Sequence, residues 1–159
     1  MFTLSEEEIA ALIGEVKPLP EGLYPPSRMT SRNHHQRRDF EIVTERGNRF
    51  VVWLRQSEMN VLDFSVILGY ALPSIRRVFR LRRYNGKHDH TNPIERSSFY
   101  DFHIHHATER YQTFGRGVED HFAEPTTRYY SIETAINCLL NDCGFRSESE
   151  RFPLFDGTI

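Results

Sequence analysis

The sequence predicts an α+β protein: a curved antiparallel β-sheet of about five strands in meander order, with an N-terminal helix and a C-terminal helix packed on one face. Three observations carry this expectation. Between residues 39 and 106 the apolar residues recur with a period of two. The connections between these segments are too short for parallel crossovers. At either end the period changes to that of a helix.

The first element is a short helix over 5–16. Ser5 and Glu8 form a capping box, Ile9, Leu12, Ile13 and Val16 share a face, and Pro18 and Pro20 stop the helix. Residues 17–33 are rich in Pro, Ser and Gly and read as a loop. Phe40, Ile42 and Thr44 then alternate with Asp39, Glu41 and Val43. Arg46-Gly47-Asn48 signals a turn into a second strand, Phe50 to Leu54, so the two form a hairpin. A third strand spans 61–71 and ends at Pro73. A fourth runs from Val78 to Tyr84 and closes at a turn, Asn85-Gly86. A fifth covers Phe99 to His106. The C-terminal helix, 132–143, has Ser131 as N-cap, Glu133 in its first turn and Gly144 as the residue that stops it. Ile132, Ala135, Ile136, Leu139, Leu140 and Cys143 form its apolar stripe. Phe152, Leu154 and Phe155 suggest a docked tail. At 159 residues the chain is expected to be one domain: helix and loop over 1–33, sheet over 34–106, helix and tail over 107–159.

The net charge of −2 hides an uneven distribution. Residues 26–87 carry thirteen Arg or Lys against five Asp or Glu, while both flanks are acidic. This predicts either one basic surface on an acidic protein or blocks that neutralise each other across the fold. The stretch Arg32-Asn33-His34-His35-Gln36-Arg37-Arg38 reads as a solvated loop or as an arm on nucleic acid. Cys138 and Cys143 match neither a disulfide framework nor a Cys-x-x-Cys motif and fit a reducing compartment. The acidic N-terminus does not look like a secretory signal, and no apolar run is long enough for a membrane span, so a cytoplasmic protein with no membrane partner is expected. Walker A, GxGxxG, Gly-x-Ser-x-Gly and His-Glu-x-x-His patterns do not occur.

Two histidine clusters stand out: Lys87-His88-Asp89-His90 and Asp101-Phe102-His103-Ile104-His105-His106. Placing Phe79, Leu81, Phe102 and Ile104 inward turns Arg80, Arg82, Tyr84, Asp101, His103 and His105 outward. Such a face suits phosphodiester, since guanidinium forks hold phosphate and imidazole transfers protons near neutral pH. The expected activity is ribonuclease cleavage without a metal, on RNA rather than DNA. His103 and His105 are the acid and base, joined by His88 and His90 if the strands are neighbours, with Asp101 orienting them. Arg80, Arg82, Arg83, Lys87 and Tyr84 hold phosphate or base, and Arg110 and Tyr111 extend that surface. Arg110 can instead pair locally with Glu109. A non-catalytic nucleic-acid- or protein-binding module is the alternative from another class. A third reading is a metal site, zinc or another divalent ion on His88, His90, His103 and His105, because His-x-His on a strand points two imidazoles the same way. Neighbouring arginine charge opposes that reading.

The basic strand ending Arg82-Arg83-Tyr84-Asn85, the following His88-x-His90 and His103-x-His105, and the closing Tyr130-Ser131-x-Glu133-x-Ala135 with Leu139-Leu140-x-Asp142 resemble the TumE-like family of small bacterial toxin–antitoxin proteins. The resemblance covers residues 76–142. It implies a mobile-element or defence context and a small cognate partner protein, such as an antitoxin.

Overall fold

The computed structural model describes residues 2–24 and 29–151. In chain order the elements are α1 (Glu6–Gly14), β1 (Lys17–Pro18), β2 (Thr30–Arg32), β3 (His35–Val43), β4 (Arg49–Ser57), β5 (Phe64–Ala71), β6 (Val78–Asn92), β7 (Ser97–His106), a 3-10 turn (Arg110–Phe114), β8 (Phe122–Pro125), α2 (Ile132–Asp142), β9 (Phe145–Arg146) and α3 (Glu148–Arg151). The expected α+β class and meander are present, with more strands than the alternation revealed. β2 to β8 form one seven-stranded sheet in sequence order, antiparallel throughout. β1 and β9 pair in parallel outside it.

Both capping expectations hold. Ser5 and Glu8 make a reciprocal capping box on α1. Ser131 caps α2, with Thr134 rather than an acidic residue completing the box. Gly144 follows α2 at φ 76°, where a Cβ would lie 2.5 Å from the Glu15 carbonyl oxygen. The bare glycine lets the ends of α1 and α2 meet. Lys17 fills the junction, fully buried, and its Nζ donates to the carbonyls of Leu12, Ile13, Glu15 and Cys143 at 2.8–2.9 Å. One ammonium thus serves carbonyls that the helix ends leave without partners.

One face of the sheet forms the core. Phe40, Val52, Leu54, Val66, Leu68, Phe79, Leu81 and Ile104 are buried there with Ile132, Ala135, Ile136 and Leu139 of α2. The other face carries Asp39, Trp53, Arg55, Ser65, Arg80, Arg83, His103 and His105, as the cross-strand register requires.

Two bulges in β6 overturn part of the face assignment. Gly69 opposes Arg80 and Leu68 opposes Arg82, so Leu81 is an extra residue. The alternation shifts by one there, and Leu81, Arg82 and Tyr84 all point to the helix side while Arg80 and Arg83 stay on the open side. The second bulge replaces the expected turn at Asn85-Gly86. The strand continues to Asn92, with Asn85 opposite His103 and His88 opposite Asp101. A Cβ on Gly86 would lie 1.8 Å from the Leu62 carbonyl oxygen, and Lys87 N–H donates to that oxygen at 3.0 Å. Gly86 therefore permits a close backbone approach and does not reverse the chain. The reversal comes at 93–96, where Arg96 has φ 60°. The tail expected from Phe152, Leu154 and Phe155 lies outside the described residues.

Candidate functional site

The second half of β6 and β7 curl over the open side of the sheet, and Asn92 closes the curl onto β8. Its Nδ2 donates to the Ala123 carbonyl at 2.8 Å, and its Oδ1 accepts from the Ala123 N–H at 2.8 Å. The side chain thereby pairs with β8 as a backbone amide would. From the helix side, the Tyr129 hydroxyl bridges the carbonyls of Asn85 and His103 at 2.7 and 2.8 Å, holding the second bulge in register with β7.

Within this curl the four predicted imidazoles converge. Ring centroids lie 4.7 Å apart for His88–His103, 4.7 Å for His90–His105, 4.9 Å for His103–His105 and 5.4 Å for His90–His103. One ring nitrogen each from His90, His103 and His105 falls within 4.8 Å of the other two, near enough to hold a metal ion. His103 is 0% and His105 3% exposed, so this is an enclosed site and not the open strand face that the alternation suggested.

The hydrogen bonds fix the tautomers. His103 Nδ1–H donates to the Asp101 carbonyl at 2.8 Å, and His105 Nδ1–H to the Asp120 carbonyl at 2.7 Å. His90 Nε2–H donates to Asn92 Oδ1 at 2.8 Å, an oxygen already accepting from Ala123 and therefore unable to donate. Each ring spends its N–H on a carbonyl-type oxygen, which leaves a lone pair on His103 Nε2, His105 Nε2 and His90 Nδ1. His103 Nε2, His88 Nδ1 and Asn85 Oδ1 are buried without a hydrogen-bond partner. Unpartnered buried acceptors are costly unless something electropositive completes them.

Burial favours the neutral form of His88, His103 and His105. Burial, the largest cause, lowers the His103 pKa to about 4, and the charges of His88, His90 and Arg83 add to it. Burial and then Arg83 push His105 lower still, and burial lowers His88. Neutral imidazole is the metal-ligating form and is poorly placed to give or take protons at pH 7. The arginines carry their own counter-charge. Asp120, fully buried, lies 3.4 Å from Arg80 and 3.2 Å from Arg83, and Glu119 lies 3.1 Å from Arg77. Two buried carboxylates thus offset part of the arginine charge expected to oppose a metal here.

The remaining predicted residues are scattered. Arg82 and Tyr84 lie on the helix side, where the fully buried Tyr84 donates to Asp142 at 2.6 Å and Arg82 sits 3.9 Å from the same carboxylate. The bulge at Leu81 is the reason. Lys87 stands over the Tyr100 ring at 5.7 Å, on the far side of the hairpin from the imidazoles. Asp101 is exposed and orients His103 through its backbone carbonyl, not its carboxylate. Arg110 pairs with Glu95 rather than Glu109, and buried Tyr111 donates to Glu95 at 2.6 Å, so both tie the 93–96 reversal to the 3-10 turn. Arg83 alone of the expected phosphate group stays beside the site, 3.5 Å from His105 Nδ1.

Asn92, Glu119 and Asp120 were not singled out by sequence. Their signal was indirect: arginines on a buried face require carboxylates, and Glu119-Asp120 is an adjacent acidic pair that no strand pattern had absorbed. No protein-family model, curated protein or solved structure matches the chain. No described helix is long and apolar enough to cross a membrane.

Proposed function

We propose that this protein is built around a metal centre, with His90, His103 and His105 holding a divalent transition ion of the zinc class. One observation carries the reading: three imidazoles with a ring nitrogen each within 4.8 Å of the other two, every ring anchored through one nitrogen to a carbonyl-type oxygen. Anchoring the other ring nitrogen is the usual device for fixing a ligating imidazole, and three imidazoles suit zinc better than a hard cation. Zn–N bonds of about 2.0–2.1 Å would bring the ligand atoms to roughly 3.4 Å from one another, so the widest pair closes by roughly 1.4 Å. His88, with its buried Nδ1 unpartnered beside His103, is the nearest candidate for a fourth position.

The expected result is near-stoichiometric zinc or a neighbouring transition metal in protein purified without a polyhistidine tag, measured by elemental analysis. After chelation and dialysis, Co(II) should give the intense visible bands of a tetrahedral site. His103→Asn and His105→Asn should each abolish them. A folded protein, checked by circular dichroism, that takes up neither Zn(II) nor Co(II) at micromolar concentration would refute the centre.

The second reading is metal-independent RNA cleavage with His103 and His105 as acid and base. It draws on Arg83 beside His105, and a cognate antitoxin-like partner belongs with it. Cleavage of a labelled RNA that persists in excess chelator and is lost in His103→Asn would favour it over the metal centre.

A further inference from the structure

The open face of the sheet continues away from the imidazoles as a basic surface. Cross-strand pairs run Arg37–Arg55, Arg55–Ser65, Ser65–Asn85 and Asn85–His103, so one row leads from β3, next to the β2 edge, to the histidine curl. At the far end, Arg32, Arg37 and Arg55 line a groove of about 880 Å³, together with Arg38 and a single carboxylate, Asp39. A second groove of about 490 Å³ is lined by Arg76 and Arg116 together with Trp53, and Trp53 is also the cross-strand partner of Asp39. The indole is half-buried and lines the second groove, one strand away from the Asp39 that lines the first. Arg55 is held by Asp63 at 3.2 Å. Arg32, Arg37, Arg76 and Arg116 form no ion pair among the described residues. All four are exposed.

Exposed guanidiniums in two grooves linked by a half-buried indole match one chemistry. Phosphates repeat along a polyanion, and a base between them can stack on the ring only if it is unpaired. We infer that this face binds single-stranded nucleic acid, with Arg32, Arg37, Arg76 and Arg116 contacting phosphates and Trp53 stacking a base. This surface differs from the one expected at Arg82, Tyr84 and Lys87. It uses the arginine stretch at 32–38 as the rim of a sheet rather than as a loose arm.

The test is fluorescence anisotropy with a labelled 12-nucleotide single-stranded RNA between about 50 and 200 mM salt. Four phosphate contacts predict a log–log salt slope of roughly −3. Arg32→Ala with Arg37→Ala should flatten the slope by about 1.4 and weaken binding. Trp53→Leu should weaken binding roughly tenfold with the slope unchanged. A duplex RNA of the same length and a base-free polyphosphate should compete poorly. The binding should persist in chelator and in His90→Ala, which separates this surface from the metal centre. Absence of binding at 50 mM salt would overturn the inference. Equal competition by duplex, polyphosphate or anionic vesicles would also overturn it, as would a Trp53→Leu protein that melts normally and binds unchanged. Single-stranded DNA of the same sequence, run in parallel, reports whether the sugar contributes.

Discussion

At the scale of single residues, Asn92 links the sheet to the imidazoles. Its amide pairs with both backbone groups of Ala123, and its Oδ1 also fixes the His90 tautomer. Asn92→Leu keeps the branched shape and removes all these contacts, together with the Nδ2 bond to Ser97 Oγ at 3.0 Å. It should cost about 2 kcal/mol or more in chemical denaturation, because the Ala123 N–H and carbonyl stay buried. It should also weaken zinc binding by roughly 10–100-fold in competition with a chromophoric chelator. The sequence made the histidines visible because His-x-His on a strand is a local pattern. Asn92 and Asp120 were not visible, since they act through contacts 31 and 15 residues distant in the chain.

At the scale of elements, β6 determines the site. Its 15 residues pair with β5 in the first half and reach β8 at the end, and the two bulges decide which side chains face which way. The strands were legible where alternation ran unbroken, as in β3 and β4. The phase of β6 was not, because an inserted residue leaves no mark on composition and reverses every later assignment. That is why Arg82 and Tyr84 were expected on the face that Arg83 occupies. Likewise, Asn85-Gly86 carries the composition of a turn, although the glycine is there for lack of a Cβ. Gly86→Ala tests this directly. A methyl group 1.8 Å from the Leu62 carbonyl oxygen forces the 62–64 backbone away. The expected loss is about 2–3 kcal/mol, within the range for overpacking, read as a lower midpoint in a urea titration. Tolerance of alanine there would mean that Leu62 yields.

At the scale of the whole molecule, the buried imidazoles make metal-free protein sensitive to acid. An unfolded histidine titrates near 6.5, while His103 in the folded chain is held down to about 4. Between these values the unfolded chain binds more protons, so stability falls as the pH falls. The contribution is complete above pH 6.5 and is lost by about pH 4. At about 1.4 kcal/mol per pH unit, His103 alone accounts for about 3 kcal/mol. His106, also lowered to about 4 by burial and then Arg82, acts in the same direction. Thermal melts of chelated protein should show the midpoint dropping through this window, and His103→Asn should flatten the drop. A midpoint independent of pH between 6.5 and 4 would mean that these rings titrate normally.

The two ends of the large sheet bear on how copies of the chain meet. A strand edge offers unpaired amides to any neighbour, and proteins usually blunt such edges. Here β2 is three residues long, exposed throughout, and ends in Arg32. β8 is four residues long and closes with Pro125, which has no N–H to donate. A seven-stranded antiparallel sheet is thus terminated at one side by charge and at the other by an imino acid. Strand addition is disfavoured at both margins, which guards against edge-to-edge pairing of copies.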